Sequence, residues 1–284
     1  FRRQEAGAGE LTPFQAVSTA LAATVGTGNI VGVTGAILLG GPGAVFWMWV
    51  SALLGMATKY AEVLLSVRYR RRNAKGEWGG GPMYYIENGL GRRFKWLSVL
   101  FCLFGVMASF GIGNIAQINS IAGSVNTVAA AFWPAAAKYQ TAIAVTVGLV
   151  IAGFTALVLL GGLKRIGAVT EKLVPFMAAV YLLSALAVIL ANAGRLGETI
   201  ALIFQSAFRP QAILGGTAGG AFLLAVKNGV GRGVFSNEAG LGSAPIAHAA
   251  SSERDPVRQG LYGIFEVFMD TIVICTLTSL AFLT

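Results

Sequence analysis

The chain has 284 residues, of which 55% are hydrophobic and only 12% charged, and its mean hydropathy is +0.70. Soluble domains carry roughly 25% charged residues, so this composition excludes a soluble globular protein and defines a chain with several membrane crossings. The net charge of +9, from 21 Lys and Arg against 12 Asp and Glu, does not indicate nucleic acid. Its basic residues fall in short loops between apolar runs, not on one soluble face.

Phe1-Arg2-Arg3 opens without an initiator Met or the features of a secretory signal, and Thr284 closes the sequence inside an apolar run. The chain is therefore expected to be a piece of a longer one.

The first crossing, residues 13–39, is uncharged. At ~1.5 Å per residue it is roughly 40 Å long as a helix, more than the ~30 Å apolar thickness of a bilayer. Its weakest helical spot is Gly26-Thr27-Gly28-Asn29, and a break is predicted there. Backbone groups freed inside lipid need partners. The carbonyls of Thr24, Val25 and Gly26 suit a small cation, and the amides of Thr27, Gly28, Asn29 and Ile30 suit a carboxylate. Gly28, Gly32 and Ala36 also make a small-residue stripe for helix packing. These residues alone leave the two readings open.

A second crossing is expected over 43–67, after Gly40-Gly41-Pro42, with Phe46, Trp47 and Trp49 as interfacial aromatics. Lys59 and Glu62, three apart, are expected to pair on one face of it, either as a plain ion pair or in an inner gate. The basic loop 68–95 contains Gly79-Gly80-Gly81-Pro82 and a short stretch, 83–90, suited to lying in the membrane plane. It lacks the Gly-Lys-Ser/Thr ending of a nucleotide-binding loop, which occurs nowhere in the chain, so no ATP-driven motor is visible.

In the third crossing, Asn114, Gln117, Ser120 and Ser124 draw a polar stripe that suits either helix contacts or a wet cavity. Crossings four (139–163) and five (173–192, across Pro175) follow, then an amphipathic helix over 197–208 with Ile200, Ile203, Phe204 and Phe208 on one side. From Gln211 onward, Gly215-Gly216, Gly219-Gly220 and Lys227-Asn228-Gly229-Val230-Gly231-Arg232-Gly233 predict a second broken crossing. In the last crossing, Glu266 and Asp270, one turn apart, are expected to be solvated near the inner surface, with cation ligation as the alternative. Cys102 and Cys275, both in apolar runs, read as buried thiols.

The expected organisation is a cytoplasmic segment (1–12), five crossings (13–194) with an inner loop (68–95), an outer helix (195–210) and two further crossings (211–284). With a cytoplasmic N-terminus, the inner segments hold 15 Lys and Arg and the outer ones three, with Lys59, Lys227 and Arg232 set aside in or near spans. This is the asymmetry of a multi-pass protein of the cell membrane. Five crossings separate the starts of the two broken ones, an odd number, so they run in opposite directions. That is the pattern of an inverted-repeat transporter with a site near the midplane.

Four motifs carry a resemblance. Gly41-Pro42-Gly43-Ala44-Val45-Phe46-Trp47-Met48-Trp49 resembles the signature of the alanine or glycine:cation symporters. Gly26-Thr27-Gly28-Asn29-Ile30, Gly81-Pro82-Met83-Tyr84-Tyr85 and Arg232-Gly233-Val234-Phe235-Ser236-Asn237-Glu238-Ala239-Gly240-Leu241-Gly242-Ser243-Ala244-Pro245 are similar to three more, in the same order. The resemblance implies an all-α membrane protein of the leucine-transporter-like inverted-repeat fold, here its first five-helix repeat and the start of the second. It implies symport of a small neutral amino acid with sodium or a proton and no further cofactor. By motif position the substrate contacts are Thr27, Gly28, Asn29 and Gln117, then Asn228 and Gly229. A channel wants a symmetric ring of carbonyls or charges, and an intramembrane enzyme a metal cluster or nucleophile elbow. The sequence offers neither.

Overall fold

The computed structural model describes residues 10–74, 76–111, 114–208 and 218–284. Most of the N-terminal segment, and Gln211 to Gly216 at the start of the second glycine-rich stretch, lie outside them.

Helix α1 (Pro13–Thr24) begins where Thr12 and Gln15 form a reciprocal cap. The Gln15 amide donates to Thr12 Oγ1 at 3.1 Å and the Thr12 amide to Gln15 Oε1 at 3.0 Å, with Pro13 preset for the first turn. A short turn, Thr27–Asn29, leads into α2 (Val31–Gly40). The two halves meet at 54°, so the first crossing is broken where the sequence predicts. Helix α3 (Ala44–Tyr69) follows, then a small hairpin of β1 (Arg71–Arg72) and β2 (Trp78–Gly79), α4 (Pro82–Tyr85), α5 (Lys95–Gly111), α6 (Ile115–Phe132) and α7 (Gln140–Leu159). Helix α8 (Gly162–Ala191) takes Lys164, Arg165 and Lys172 into its first turns and runs through Pro175. It starts earlier than the expected 173 because the left-handed turn at Gly162, φ +70°, already launches it.

Helix α9 (Leu196–Phe208) lies where the amphipathic stretch is expected. Phe204 and Phe208 pack on Phe46, Trp47 and Trp49, and Trp47 Nε1 donates to the Ala207 carbonyl at 3.3 Å. The aromatics of α3 thus form a cluster with α9, each ring pair adding about 0.5–1.5 kcal/mol beyond its burial.

Helix α10 (Ala218–Asn237) is unbroken, and this corrects the expected position of the second interruption. Gly229 sits against α3, where an added Cβ would be 2.3 Å from the Ala44 carbonyl oxygen. Gly233 lies against Ser51, and Gly40 against Leu224 and Asn228. These glycines let backbones approach closely, as small residues do between membrane helices. The interruption falls later, between α10 and α11 (Ala244–Ala249), where Glu238, Gly240 and Gly242 take φ of +54°, +90° and +79°. Helix α12 (Pro256–Val267), capped by Asp255, widens into a π turn (Phe268–Cys275) and ends in α13 (Thr276–Leu283).

Helix α3 is the pillar of the bundle, packed by α10 on one side and α12 on another. Gly260 and Gly263 of α12 lie on Tyr60, Lys59 and Val63. At one end, rich in basic residues, Leu11 exchanges backbone hydrogen bonds with Ala250 and Ser252 (2.9 and 2.7 Å). There Arg70 donates to the carbonyls of Ala249, Ser251 and Glu253 while its guanidinium lies over the Trp78 ring. At the far end Gly43 touches α9, and Arg195 reaches the Thr284 carbonyl at 3.3 Å. Leu11, Arg70 and Ala250 thus share one end of the bundle, and Gly43, Arg195 and Thr284 lie away from it.

Candidate substrate and cation site

The two interrupted crossings meet at the middle of the bundle. A Cβ added at Gly28 would be 3.8 Å from Ser236 Cα and 3.9 Å from the Phe235 ring, and one at Gly26 would be 3.6 Å from Gln117 Oε1. Gln117 of the polar stripe is thus beside the first break. In the same stripe, Asn114, Ser120 and Ser124 donate to the carbonyls of Ser109, Ala116 and Ser120, which keeps those side chains within their own segment.

The break has a local cause. The Gly26 amide turns to Asn29 Oδ1 at 2.8 Å and is lost to the helical ladder. The Asn29 and Ile30 amides close a tight turn onto the Gly26 and Thr27 carbonyls, both at 3.2 Å. Two of the four amides expected to face a carboxylate are therefore engaged. Those of Thr27 and Gly28 donate to no backbone carbonyl among the described residues, and the carbonyls of Thr24 and Val25 accept from no backbone amide. The Gly26 carbonyl, expected with them, is taken by the turn.

Asn29 is 1% exposed. Because its oxygen holds the Gly26 amide, its NH2 must face the other way. There it meets Asp270 Oδ1 at 2.6 Å, Ser236 Oγ at 3.0 Å, the Asp270 carbonyl at 3.3 Å and Cys275 Sγ at 3.4 Å. Asp270 Oδ2 accepts the hydroxyls of Ser236 and Thr271, both at 2.8 Å, and Asn237 donates to Thr271 Oγ1 at 3.2 Å. The π turn brings Asp270, Thr271 and Cys275 to one cluster, and such turns are frequent at functional sites. Two amide protons cannot serve four acceptors, so the cluster is rich in lone pairs. Among the described residues no Lys, Arg or His pairs with Asp270, which is 0% exposed.

Several sequence expectations are corrected here. Asp270 and Glu266 are fully buried rather than solvated, since α12 starts at Pro256 and Asp270 lies roughly 20 Å along the crossing at ~1.5 Å per residue. Lys59 pairs with Glu266 at 3.2 Å instead of Glu62, whose Oε2 takes the Gly240 amide at 3.1 Å. Helix α12 presents its carboxylate straight at Lys59, while Glu62 faces the second interruption. Asn228 and Gly229 belong to an intact stretch of α10, where Asn228 donates to the Leu224 carbonyl at 2.9 Å. Cys275 is buried, but Cys102 is exposed on α5. Sequence reasoning weighs Asp270 as a cation ligand and sets that aside for the solvated reading, which its burial overturns. An acid inside an apolar run is a functional candidate by default, and that signal was present.

Long apolar helices around a broken pair mark a multi-pass membrane protein. The Sodium:alanine symporter family matches residues 1–284, and the chain belongs to it. It is 50% identical to an uncharacterised transporter of Haemophilus influenzae over 99% of this chain and 59% of that protein. It is 49% identical to the sodium/alanine symporter AgcS of Methanococcus maripaludis (98% and 58%) and 42% identical to GlnT of Bacillus subtilis, a probable sodium/glutamine symporter (95% and 52%). The chain thus spans about half the length of the curated relatives it matches.

Proposed function

We propose that the chain is the part of a sodium-coupled symporter for a small neutral amino acid, alanine or glycine, that holds substrate and cation between its two interrupted crossings. One observation carries the reading: a buried carboxylate, Asp270, lies among neutral donors and surplus acceptors where both helices break. The ends of α1 and α10 aim the negative poles of their dipoles at this centre, and α2 begins there with its positive pole. The substrate carboxylate takes the free amides of Thr27 and Gly28, with Gln117 alongside. The cation takes Asp270, Ser236 and Thr271, with the Thr24 and Val25 carbonyls nearby. Asn29 joins the two subsites, one end of its amide on the Gly26 backbone and the other on Asp270. Asn228 and Gly229 serve packing in this reading. The fold is read as a leucine-transporter-like inverted repeat, 13–194 forming the first repeat and 211–284 the start of the second, with transport by rocking of one bundle against the other.

Family membership and the names of AgcS and GlnT support sodium-coupled carriage of an amino acid. The test is alanine uptake into proteoliposomes holding the full-length protein, with Asp270→Asn beside the wild type. The expected result is abolished uptake, or a half-saturating sodium concentration raised roughly tenfold or more. Unchanged sodium dependence in that variant rejects the site.

A further inference from the structure

The cation reading uses Asp270 and leaves unexplained three other side chains, Lys59, Glu266 and His248, all 0% exposed. Lys59 Nζ donates to Glu266 Oε1 at 3.2 Å, and Glu266 Oε2 lies 3.3 Å from His248 Nε2. Gln259 Nε2 is 2.7 Å from His248 Nδ1, while Gln259 Oε1 accepts the Ser251 hydroxyl at 3.1 Å. Both oxygens of Glu266 are thereby held, one by the Lys59 ammonium and one by the His248 ring.

The surroundings are acidic. Glu62 of α3 and Glu238 of the second interruption lie within electrostatic reach of Lys59, and Asp270, four residues on along the same crossing, within reach of Glu266. Among the described residues Lys59 is the one ammonium within reach of Glu62, Glu238 and Glu266, and it is committed to Glu266, one helical turn before Asp270.

We propose that Lys59 is a positioning residue for cation coupling: by pairing with Glu266 it cancels that charge, so that Asp270 alone answers the travelling cation. The inference rests on the reading of Asp270 given above. Without the ammonium, Glu266 is a buried anion that must take up a proton or compete for the cation. Without Glu266, the ammonium is unpaired near Asp270 and opposes a cation there.

The experiment uses the full-length protein in proteoliposomes, wild type beside Lys59→Met, Glu266→Gln, the double variant and Asp270→Asn. Alanine uptake is read against sodium concentration at about pH 6, 7 and 8. Glu266→Gln is expected to raise half-saturating sodium about tenfold, and the double variant to return within about threefold of wild type, because no unpaired charge remains. Lys59→Met is expected to work best at about pH 6 and to fall to about a tenth of that rate at about pH 8, where Glu266 must ionise unpaired, against a flat wild-type profile. Wild-type sodium dependence in Glu266→Gln overturns the proposal, as does a Lys59→Met pH profile parallel to wild type. So does a double variant that fails to insert, which makes the pair a packing element. If Asp270→Asn keeps wild-type sodium dependence, the Asp270 reading itself is wrong. If Asp270→Asn loses it while the Lys59 and Glu266 series stays flat, only the role of Lys59 is.

Discussion

Gly28 and Gly229 look alike in the sequence, and both were natural candidates for a binding site. The structure separates them by what a side chain would meet. At Gly28 a methyl group finds ordinary contact with Ser236 and Phe235, whereas at Gly229 it meets the Ala44 carbonyl at 2.3 Å. Gly28→Val is therefore expected to insert normally and lose alanine uptake, since its branches reach into the junction of the two breaks. Gly229→Ala is expected to lower stability by about 1–3 kcal/mol through overpacking, seen as a reduced midpoint of thermal unfolding in detergent. Uptake by Gly28→Val at the wild-type rate would remove that glycine from the site. Thr27, Gly28 and Gln117 stand out in the sequence because a polar or flexible residue inside lipid is conspicuous, and the structure places Gly28 beside Ser236 and Gln117 beside Gly26. Asn29 was legible as important, but its partner was not, since Asp270 lies 241 residues along the chain and no local pattern records the pairing.

At the scale of elements, the first interruption was readable and the second was misplaced, for one physical reason. Glycine both breaks helices and lets them touch, and glycine density alone does not say which it does. The stretch 227–233 has Gly229 and Gly233 four apart, on the face that α3 covers, so there it serves contact. The true interruption is marked by backbone hand: Glu238, Gly240 and Gly242 are left-handed, and the Glu238 carboxylate ties back to the Ser243 hydroxyl at 2.5 Å. Two substitutions separate these causes. Gly240→Ala meets only a distant Thr58 methyl at 3.9 Å, so its cost is conformational, about 1–2 kcal/mol. Gly231→Ala, inside α10 with open space around it, is expected to stabilise by about 0.5–1 kcal/mol through helix propensity. Opposite signs in thermal unfolding check the assignment. Equal signs would mean that α10 is not continuous through Gly231.

The whole molecule tests the count of crossings, on which the relation between the two broken helices depends. Leu11 lies beside Ala250, and Arg70 reaches over the segment that follows α11, so the first crossing starts at the end where the sixth finishes. The interrupted helices are therefore antiparallel, as an odd number of crossings between their starts requires. The charge asymmetry was legible because loops need only be counted. Their convergence at one end came from contacts that no count provides, such as the Arg72 and Trp78 contacts to Glu10 at 2.9 Å. We propose from the positive-inside rule that the basic end is the cytoplasmic one. In the full-length protein, a cysteine at Arg71 is expected to react with an impermeant thiol reagent only after the cytoplasmic face is opened to it. A cysteine at Lys138, between the third and fourth crossings, is expected to react in intact cells. Cys102 is exposed on α5 and is replaced by Ser in both variants, while buried Cys275 is kept. Labelling of both positions from one side would break the alternation and with it the antiparallel relation of the two interrupted helices. Labelling in the reverse order would keep the fold and invert its direction, placing the Arg70 clasp on the outer face.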